Sequence, residues 1–506
     1  MIKLLVMDAD LNIAQTSSRP SFSKLFSIKS LSSRDILIFT ATFIVLVGAL
    51  ITVIQLQPAF EQLHLERINT FWGRLLVYVS IALLAFKISF LGFIFFLRLK
   101  YRPVQSVSNE KLPVLTVIVP AYNEGKLVWK TLHSLAGSHY PEHKVQIISI
   151  DDGSQDNTWA WMQKAKRELG DRLSIFQQPK NMGKRHALYR GFKLGTGDVF
   201  VTVDSDSIVK TDTLRNLVSP FTVDSKCGAV AGNVRVLNNE KAMIPRMLNV
   251  SFAFSFEFIR SAQSQLGSVL CTPGALAAYR RDAVLNCLED WMHQTFMGKT
   301  TDIGEDRAMT NMILKQGMHV RFQSNAVVLT NIPERYKNLY KMFIRWERSN
   351  VRENIKMSKF AFTNYREESK VGPRILLLNQ WIKVVFAYPF MILMLIFIVL
   401  YPVLFISSTL VSILVFSSIP ALFYAKSYNV GESLWMYCYS LFYTFSLFWI
   451  TPYAIATASR RGWLTRDLPK SLIFLLNLIQ FTYQFNHHIL TQSNLNTPSG
   501  YSSFFY

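Results

Sequence analysis

The chain has 506 residues, 50% of them hydrophobic and 17% charged, at a mean hydropathy of +0.20. That composition excludes a disordered chain and leans away from a single soluble globule toward a membrane protein. The net charge of +21 admits nucleic acid, anionic lipid or a phosphate-bearing substrate as partner, so the position of the charges must choose among them.

In chain order, residues 1–34 read as a Ser-rich, disordered cytosolic tail, and the first long apolar run begins only near Asp35. The N-terminus is therefore expected to be an anchor rather than a cleaved signal. Residues 35–100 carry two apolar stretches, 36–55 and 73–98, each long enough for the roughly 20 residues that a membrane-spanning helix needs. Arg19, Lys24, Lys29 and Arg34 precede this pair while Arg98, Lys100 and Arg102 follow it, which places both flanks in the cytosol. Residues 110–345 have the pattern of an α/β domain, with β-branched runs at Val114–Val119, Val145–Ile150 and Val199–Val203 separated by helical periodicity, and predict a mostly parallel sheet. Residues 346–380 read as an amphipathic interface segment, 381–490 as further transmembrane and interface helices, and 491–506 as a tail. Apolar runs lie near 378–402, 403–424, 432–457 and 468–490, and three of them precede the basic segment Ser459–Arg466. Positive-inside placement of that segment requires an even number of crossings; the first run, interrupted by Lys383 and Pro389, is the candidate to lie in the interface instead. Cys227, Cys271, Cys287 and Cys438 show neither metal-site nor disulfide spacing, which fits a reducing compartment.

The chemistry-bearing residues fall at the carboxyl ends of expected strands, the edge where open α/β sheets bind ligands. The first strand runs into Tyr122-Asn123-Glu124-Gly125 and the second into Asp151-Asp152-Gly153-Ser154, although both are also ordinary turn sequences. The strand Val199–Val203 ends in Asp204-Ser205-Asp206. On extended backbone, carboxylates at i and i+2 share one face and suit a hard cation, Mg²⁺ or Mn²⁺, whose other sites hold diphosphate oxygens. Glu305 and Asp306 follow Gly304 at the start of a helical pattern, where an acid serves either the helix dipole or general-base catalysis. Arg345-Trp346 joins a guanidinium suited to phosphate with an indole suited to a sugar face, in a stretch that also fits a juxtamembrane helix.

These motifs, Asp151-Asp152-Gly153-Ser154, Asp204-Ser205-Asp206, Gly304-Glu305-Asp306-Arg307 and Arg345-Trp346 in that order, resemble the processive inverting glycosyltransferases with the GT-A fold. Gln294–Lys299, Tyr279-Arg280-Arg281 and Trp463-Leu464-Thr465-Arg466 look like hyaluronan synthases and the rhizobial chitin-oligosaccharide synthase. The resemblance implies a GT-A domain inserted between transmembrane segments, with Tyr122, Glu124, Asp152 and Lys184 around uridine, Asp204 and Asp206 on the metal and diphosphate, and Asp306 as base. It further implies Arg345, Thr465 and Arg466 on the donor, and Cys271, Gly274, Glu305, Arg307 and Trp346 at the acceptor end. Met342 and Phe343 stand where the family places glutamine, which removes a polar contact. The implied reaction is polymerisation of a β-linked, hyaluronan- or chitin-like polysaccharide from UDP-sugars, UDP-N-acetylglucosamine first among them. It would run at the cytosolic face of the plasma (inner) membrane in a multi-pass protein that exports its product. The enzyme alternative is a single transfer to a lipid-linked acceptor. Nucleic acid is not expected as a partner, because the basic residues collect beside membrane segments, where lipid headgroups meet them.

The expected export path puts aromatic residues on one helix face, and Trp435, Tyr439 and Tyr443 recur at the spacing that would do so. An interfacial aromatic belt has the same pattern.

Overall fold

The computed structural model describes residues 32–460; the expected tails, the run 468–490 and the segment with Trp463, Thr465 and Arg466 lie outside them. Helix α1, Ser33–Gln55, opens on a capping box in which Ser32 Oγ accepts from the Asp35 amide at 3.2 Å and Asp35 Oδ2 accepts from the Ser32 amide at 3.1 Å. Helix α2, Phe71–Lys100, follows after a short helix at Gln57–Ile68. Both are long and apolar enough to cross a membrane, and only 6% of the most apolar window of α2 is buried by protein.

The α/β domain is built on strands β1 (Leu115–Ala121), β2 (Val145–Asp151), β3 (Leu173–Gln177), β4 (Val199–Val203), β5 (Ser207–Val209), β6 (Cys227–Val236), β7 (Leu276–Arg280) and β8 (His319–Thr330). They form one sheet in the order β3-β2-β1-β4-β7-β6-β8-β5. The pairs β3/β2, β2/β1, β1/β4 and β6/β8 are parallel, while β7 runs antiparallel to both β4 and β6, and β5 antiparallel to β8. The expected parallel sheet is thus present in its first four strands, and β7, returning after the long excursion from Leu237, makes the rest mixed. All residues of β1 and β4 are buried, as strands covered on both faces require. Alternation divides β1 between two cores. Ile118 packs with Phe192, Phe200 and Phe322, and Val117 and Val119 pack with Val128, Leu132 and Val203.

Three helices carry the site onward: α3 (Lys184–Leu194), α4 (Glu305–Lys315) and α5 (Tyr336–Ala361). Helix α5 is continuous through the boundary expected at 345/346. The segment expected to lie at an interface is instead packed against protein along much of its length, with Arg348, Asn350, Arg352 and Glu353 all buried. Arg348 donates to Thr457 Oγ1 at 2.9 Å and Arg352 to the Ile303 carbonyl at 2.8 Å.

After α5, the helices Val371–Val385 and Ala387–Leu400 meet at a 43° bend and together have the length and apolarity of one broken span. Lys383, read as an interruption of the apolar run, pairs with Glu347 of α5. Helix α6, Pro402–Ser427, is the third straight helix long and apolar enough to cross. The run at 432–457 is divided among shorter helices, including Trp435–Ser446 of 12 residues and Ile450–Ala456 of 7, neither of which reaches the length of a span. Trp435 does not share an open face with Tyr439 and Tyr443. It is buried against Phe39 of α1 at 5.0 Å, with Arg246 over its ring, so it seals a helix contact and lines no path.

Candidate active site

The strand order reverses direction between β1 and β4, and the carboxyl ends of β1, β2 and β4 deliver Tyr122, Asp151 and Asp204 to one edge. Asn123 at φ 56° and Gly125 at φ 52° turn the chain after β1, and Thr158 Oγ1 accepts from the amides of Glu124 and Gly125 at 2.8 Å each. Tyr122 and Glu124 are half-buried at this edge.

Asp152 is buried and organises its neighbour loop. Its Oδ1 accepts from Gln178 Nε2 at 2.8 Å and from the Met182 amide at 2.9 Å, and its Oδ2 from the Gly183 amide at 2.8 Å. Burial pushes its carboxyl up to about 6 against those bonds. Gly153 at φ +72° meets the same loop, where a Cβ would lie 2.7 Å from the Asn181 amide nitrogen, so only glycine fits. Asp152, expected on uridine, therefore also shapes the loop that starts α3.

That loop projects Lys184 from the first turn of α3 into an ion pair with Asp204, while its Nζ lies 3.3 Å from Glu305 Oε1 at the start of α4. Gly274 faces the same point: a Cβ there would stand 2.7 Å from Lys184 Nζ and 3.7 Å from both Asp204 carboxylate oxygens. The site thus joins β4, α3, α4 and the 271–274 loop around one lysine.

Asp206 does not sit on extended backbone. The Ser207 amide donates to the Asp204 carbonyl at 3.0 Å, closing a turn that brings the two acids together. The side chain of Asp206 accepts from Thr330 and Ser207 hydroxyls at 3.3 Å each. Burial, then the neighbouring Asp204, raises it to about 6, and burial followed by Asp206 and Asp204 raises Glu124 to about 8. Carboxylates that oppose one another's ionisation in this way fit a divalent cation. Among the described residues no group of three or more His, Cys, Asp or Glu side chains could hold a metal alone. The two aspartates fit an ion that shares its coordination with a diphosphate.

Helix α4 begins at Gly304, φ +81°. Glu305 is buried and is opposed by desolvation, yet Lys184 and, more weakly, Arg345 draw its carboxyl below the ordinary range. Asp306, beside it, is raised by burial and by Glu305, with Lys184 and Arg307 acting the other way. Its Oδ1 accepts from the Arg307 amide at 2.7 Å, and Cys271 Sγ lies 3.7 Å from its Oδ2. Adjacent acids shifted in opposite directions are suited to different tasks, one as a fixed counter-charge and the other as a proton acceptor. Arg307, expected at the acceptor, donates to Asn350 of α5 at 3.0 Å.

Trp346 is exposed, flanked by Phe252 at 6.0 Å and Phe343 at 5.7 Å between ring centroids, and Phe343 reaches Tyr443 at 6.1 Å. Tyr443 in turn packs against Tyr439 at 5.7 Å. The position where the family has a second glutamine is therefore filled by a ring in an aromatic series.

Two buried residues that sequence reasoning did not single out, Trp291 and Arg185, hold this arrangement together with Gln294 and Asn311. Trp291 Nε1 donates to the Glu305 carbonyl at 2.8 Å, and Gln294 donates to Glu353 Oε1 at 3.0 Å. Asn311 donates to Glu353 Oε2 at 2.8 Å. Arg185 stacks over Trp291 and donates to its carbonyl. Arg185 and Trp291 carried no advance signal, because their partners, each other and the Glu305 carbonyl, are brought together only by the fold.

Residues 113–349 match the glycosyltransferase like family 2. The chain is 32% identical over 250 residues to an N-acetylglucosaminyltransferase of Rhizobium meliloti, covering 49% of this chain and 58% of that protein. It is 31% identical over 255 residues to a hyaluronan synthase of Streptococcus pyogenes, covering 49% of this chain and 60% of that one. The chain thus spans somewhat more than half the length of these relatives. Among solved structures, a mannosyltransferase of Pyrobaculum calidifontis in complex with GDP-Man and Mn²⁺ is similar at 18% identity and a TM-score of 0.48, covering 74% of this chain and 96% of that one. The motif order, the mixed sheet and the family match agree: the chain carries a glycosyltransferase like family 2 domain of the GT-A fold at residues 113–349.

Proposed function

We propose that this chain transfers N-acetylglucosamine from its uridine diphosphate to the non-reducing end of a growing β-linked polysaccharide. The observation that carries the reading is the opposition of Asp306 and the Lys184–Asp204 pair across the 271–274 loop. It separates a proton acceptor from a charged diphosphate pocket. The names of the relatives, an N-acetylglucosaminyltransferase and a hyaluronan synthase, favour an amino-sugar donor.

In this reading Tyr122, Glu124 and Asp152 bound the uridine, and Lys184, with Arg345, receives the diphosphate. Thr465 and Arg466, which the resemblance implies on the donor, lie outside the described residues. Asp204 and Asp206 would hold Mg²⁺ or Mn²⁺, which supplies Lewis-acid stabilisation to the leaving diphosphate. Asp306 takes the proton of the acceptor hydroxyl as that oxygen attacks the anomeric carbon from the side opposite the diphosphate, so configuration inverts. Trp346 offers its ring to the acceptor sugar, while Cys271, Gly274, Glu305 and Arg307 bound the acceptor end. In this reading the chain is a multi-pass protein of the plasma (inner) membrane with its catalytic domain in the cytosol and its product passed outward, a reading supported by the length and apolarity of α1, α2 and α6. A hydrophilic polymer cannot cross hydrocarbon unaided, which is reason for one chain to hold both parts.

The test is UDP release by detergent-purified protein supplied with Mg²⁺ or Mn²⁺ and with UDP-N-acetylglucosamine and UDP-glucuronate, singly and together, with product sizing. Release from the amino sugar alone with a chitinase-sensitive polymer supports a chitin-type product, and release only from the pair a hyaluronan-type one. A product extended by a single sugar on lipid would overturn polymerisation, and no release from any pairing would overturn the choice of donor.

A further inference from the structure

Between the helix Met243–Phe252 and the short helix Arg260–Gln265 the chain forms a π-helical segment, Ala253–Ile259. Such segments are uncommon and recur at functional sites, because the extra residue re-aims the side chains that follow. The side chain re-aimed here is Arg260. Its guanidinium stacks 4.0 Å from the centroid of Phe256, and its Nη1 is buried with no hydrogen-bond partner among the described residues. Its other contacts run to the thiol of Cys271, the group 3.7 Å from Asp306 Oδ2. A buried guanidinium with an unmatched donor is disfavoured unless its charge serves its neighbours.

We propose that Arg260 is a positioning residue for glycosyl transfer, holding the Cys271 loop against Asp306 and keeping that carboxylate ionised through its positive charge. This inference rests on the reading of Asp306 as the base. The charged and titratable groups facing Asp306 are Glu305 and Arg307 from α4, Lys184 and Arg185 from α3, Cys271 from its loop, Tyr279 from β7, and Arg260. Of the cations, Lys184 is committed to Asp204 and Glu305, Arg307 to Asn350, and Arg185 to the Trp291 carbonyl. Among the described residues Arg260 forms no ion pair with a carboxylate, so its charge is available to the loop and, through it, to Asp306.

The experiment compares wild type, Arg260→Gln and Arg260→Lys in full-length purified protein, recording kcat against pH with saturating sugars and measuring UDP affinity separately. Loss of the cation makes Asp306 harder to ionise, so the acid limb of the Arg260→Gln profile moves to higher pH. Its kcat at neutral pH drops about tenfold or more, with UDP affinity held, and Arg260→Lys restores the limb. An acid limb unchanged in Arg260→Gln while Asp306→Asn is inactive would overturn this role and leave the base reading standing. Turnover retained by Asp306→Asn would overturn both. If Arg260→Gln does not fold, the Arg260→Lys profile decides: a limb at the wild-type position supports the charge role, and a shifted one overturns it.

Discussion

Gly304 abuts Ser349 of α5 so closely that a Cβ on the glycine would overlap the serine hydroxyl and stand 2.6 Å from its Cβ. The glycine is also held at φ +81°, a conformation that other residues adopt at a cost. Gly304→Ala should therefore destabilise the protein by about 1–3 kcal/mol and displace the first turn of α4, which carries Glu305 and Asp306. Thermal melting and sugar transfer measured on the same preparation check this, and a variant with wild-type melting and wild-type turnover would contradict it.

Replacing Asp306 by Asn should lower kcat by about 10²–10⁴-fold, the range a positioned base contributes, while UDP affinity persists. The wild-type kcat should fall as pH drops through a value above the ordinary carboxylate range, since burial and Glu305 hold Asp306 up. The sign follows from the role: only the ionised form accepts a proton, so acid removes activity. A pH profile flat down to the normal aspartate range would count against the assignment.

Asp204→Ala and Asp206→Ala should each weaken UDP-sugar binding in Mg²⁺ or Mn²⁺ and make it insensitive to chelator. Calorimetric titration with and without chelator checks both. Metal-dependent affinity that survives in the double variant would rule the pair out as ligands.

Glu353 accepts from Asn311 and Gln294 in a buried position. Removing it as Glu353→Ala strands the Gln294 amide, leaves Asn311 only its bond to the Glu353 carbonyl and should cost about 2–3 kcal/mol, whereas Glu353→Gln retains the shape and part of the bonding. Denaturant melts of the two variants separate the cases, and equal stability would show that the network carries no weight.

Trp346→Ala should shorten the polymer or raise the acceptor requirement more than it changes UDP affinity, because the exposed ring belongs to the aromatic series of Phe252, Phe343 and Tyr443 and not to the Lys184–Asp204 pair. Product sizing alongside UDP titration measures the split. Equal loss in both would make Trp346 a packing residue.

Much of this architecture was legible beforehand, for physical reasons that differ by element. Strands β1, β2 and β4 announced themselves because burial on both faces demands unbroken β-branched runs, and α1 and α2 because lipid demands long apolar ones. The turn between Asp204 and Asp206 was not legible, since Asp-Ser-Asp fits both a turn and an extended edge, and the backbone bond from Ser207 decides. Helix α5 misled for a related reason. Arg348, Arg352 and Glu353 look like a solvated or lipid-facing set, but their partners come from Thr457, Ile303, Gln294 and Asn311, far along the sequence. Trp435 misled by spacing alone, for the period that aligns it with Tyr439 and Tyr443 carries no information about which neighbour covers it.

The continuity of α5 has a mechanical consequence. Its 26 residues make a rod of about 39 Å. The rod bears Trp346 and is fastened to α4 through Asn350 and Glu353, to the bent apolar pair through Glu347, and to Ile450–Ala456 and the residue after it through Arg348. With no break along it, the workbench and the hull are bolted to one beam. Any motion that changes the spacing between the Asp306 turn and the apolar helices must then come from loops off the beam, because the beam itself sets that spacing as a fixed gauge.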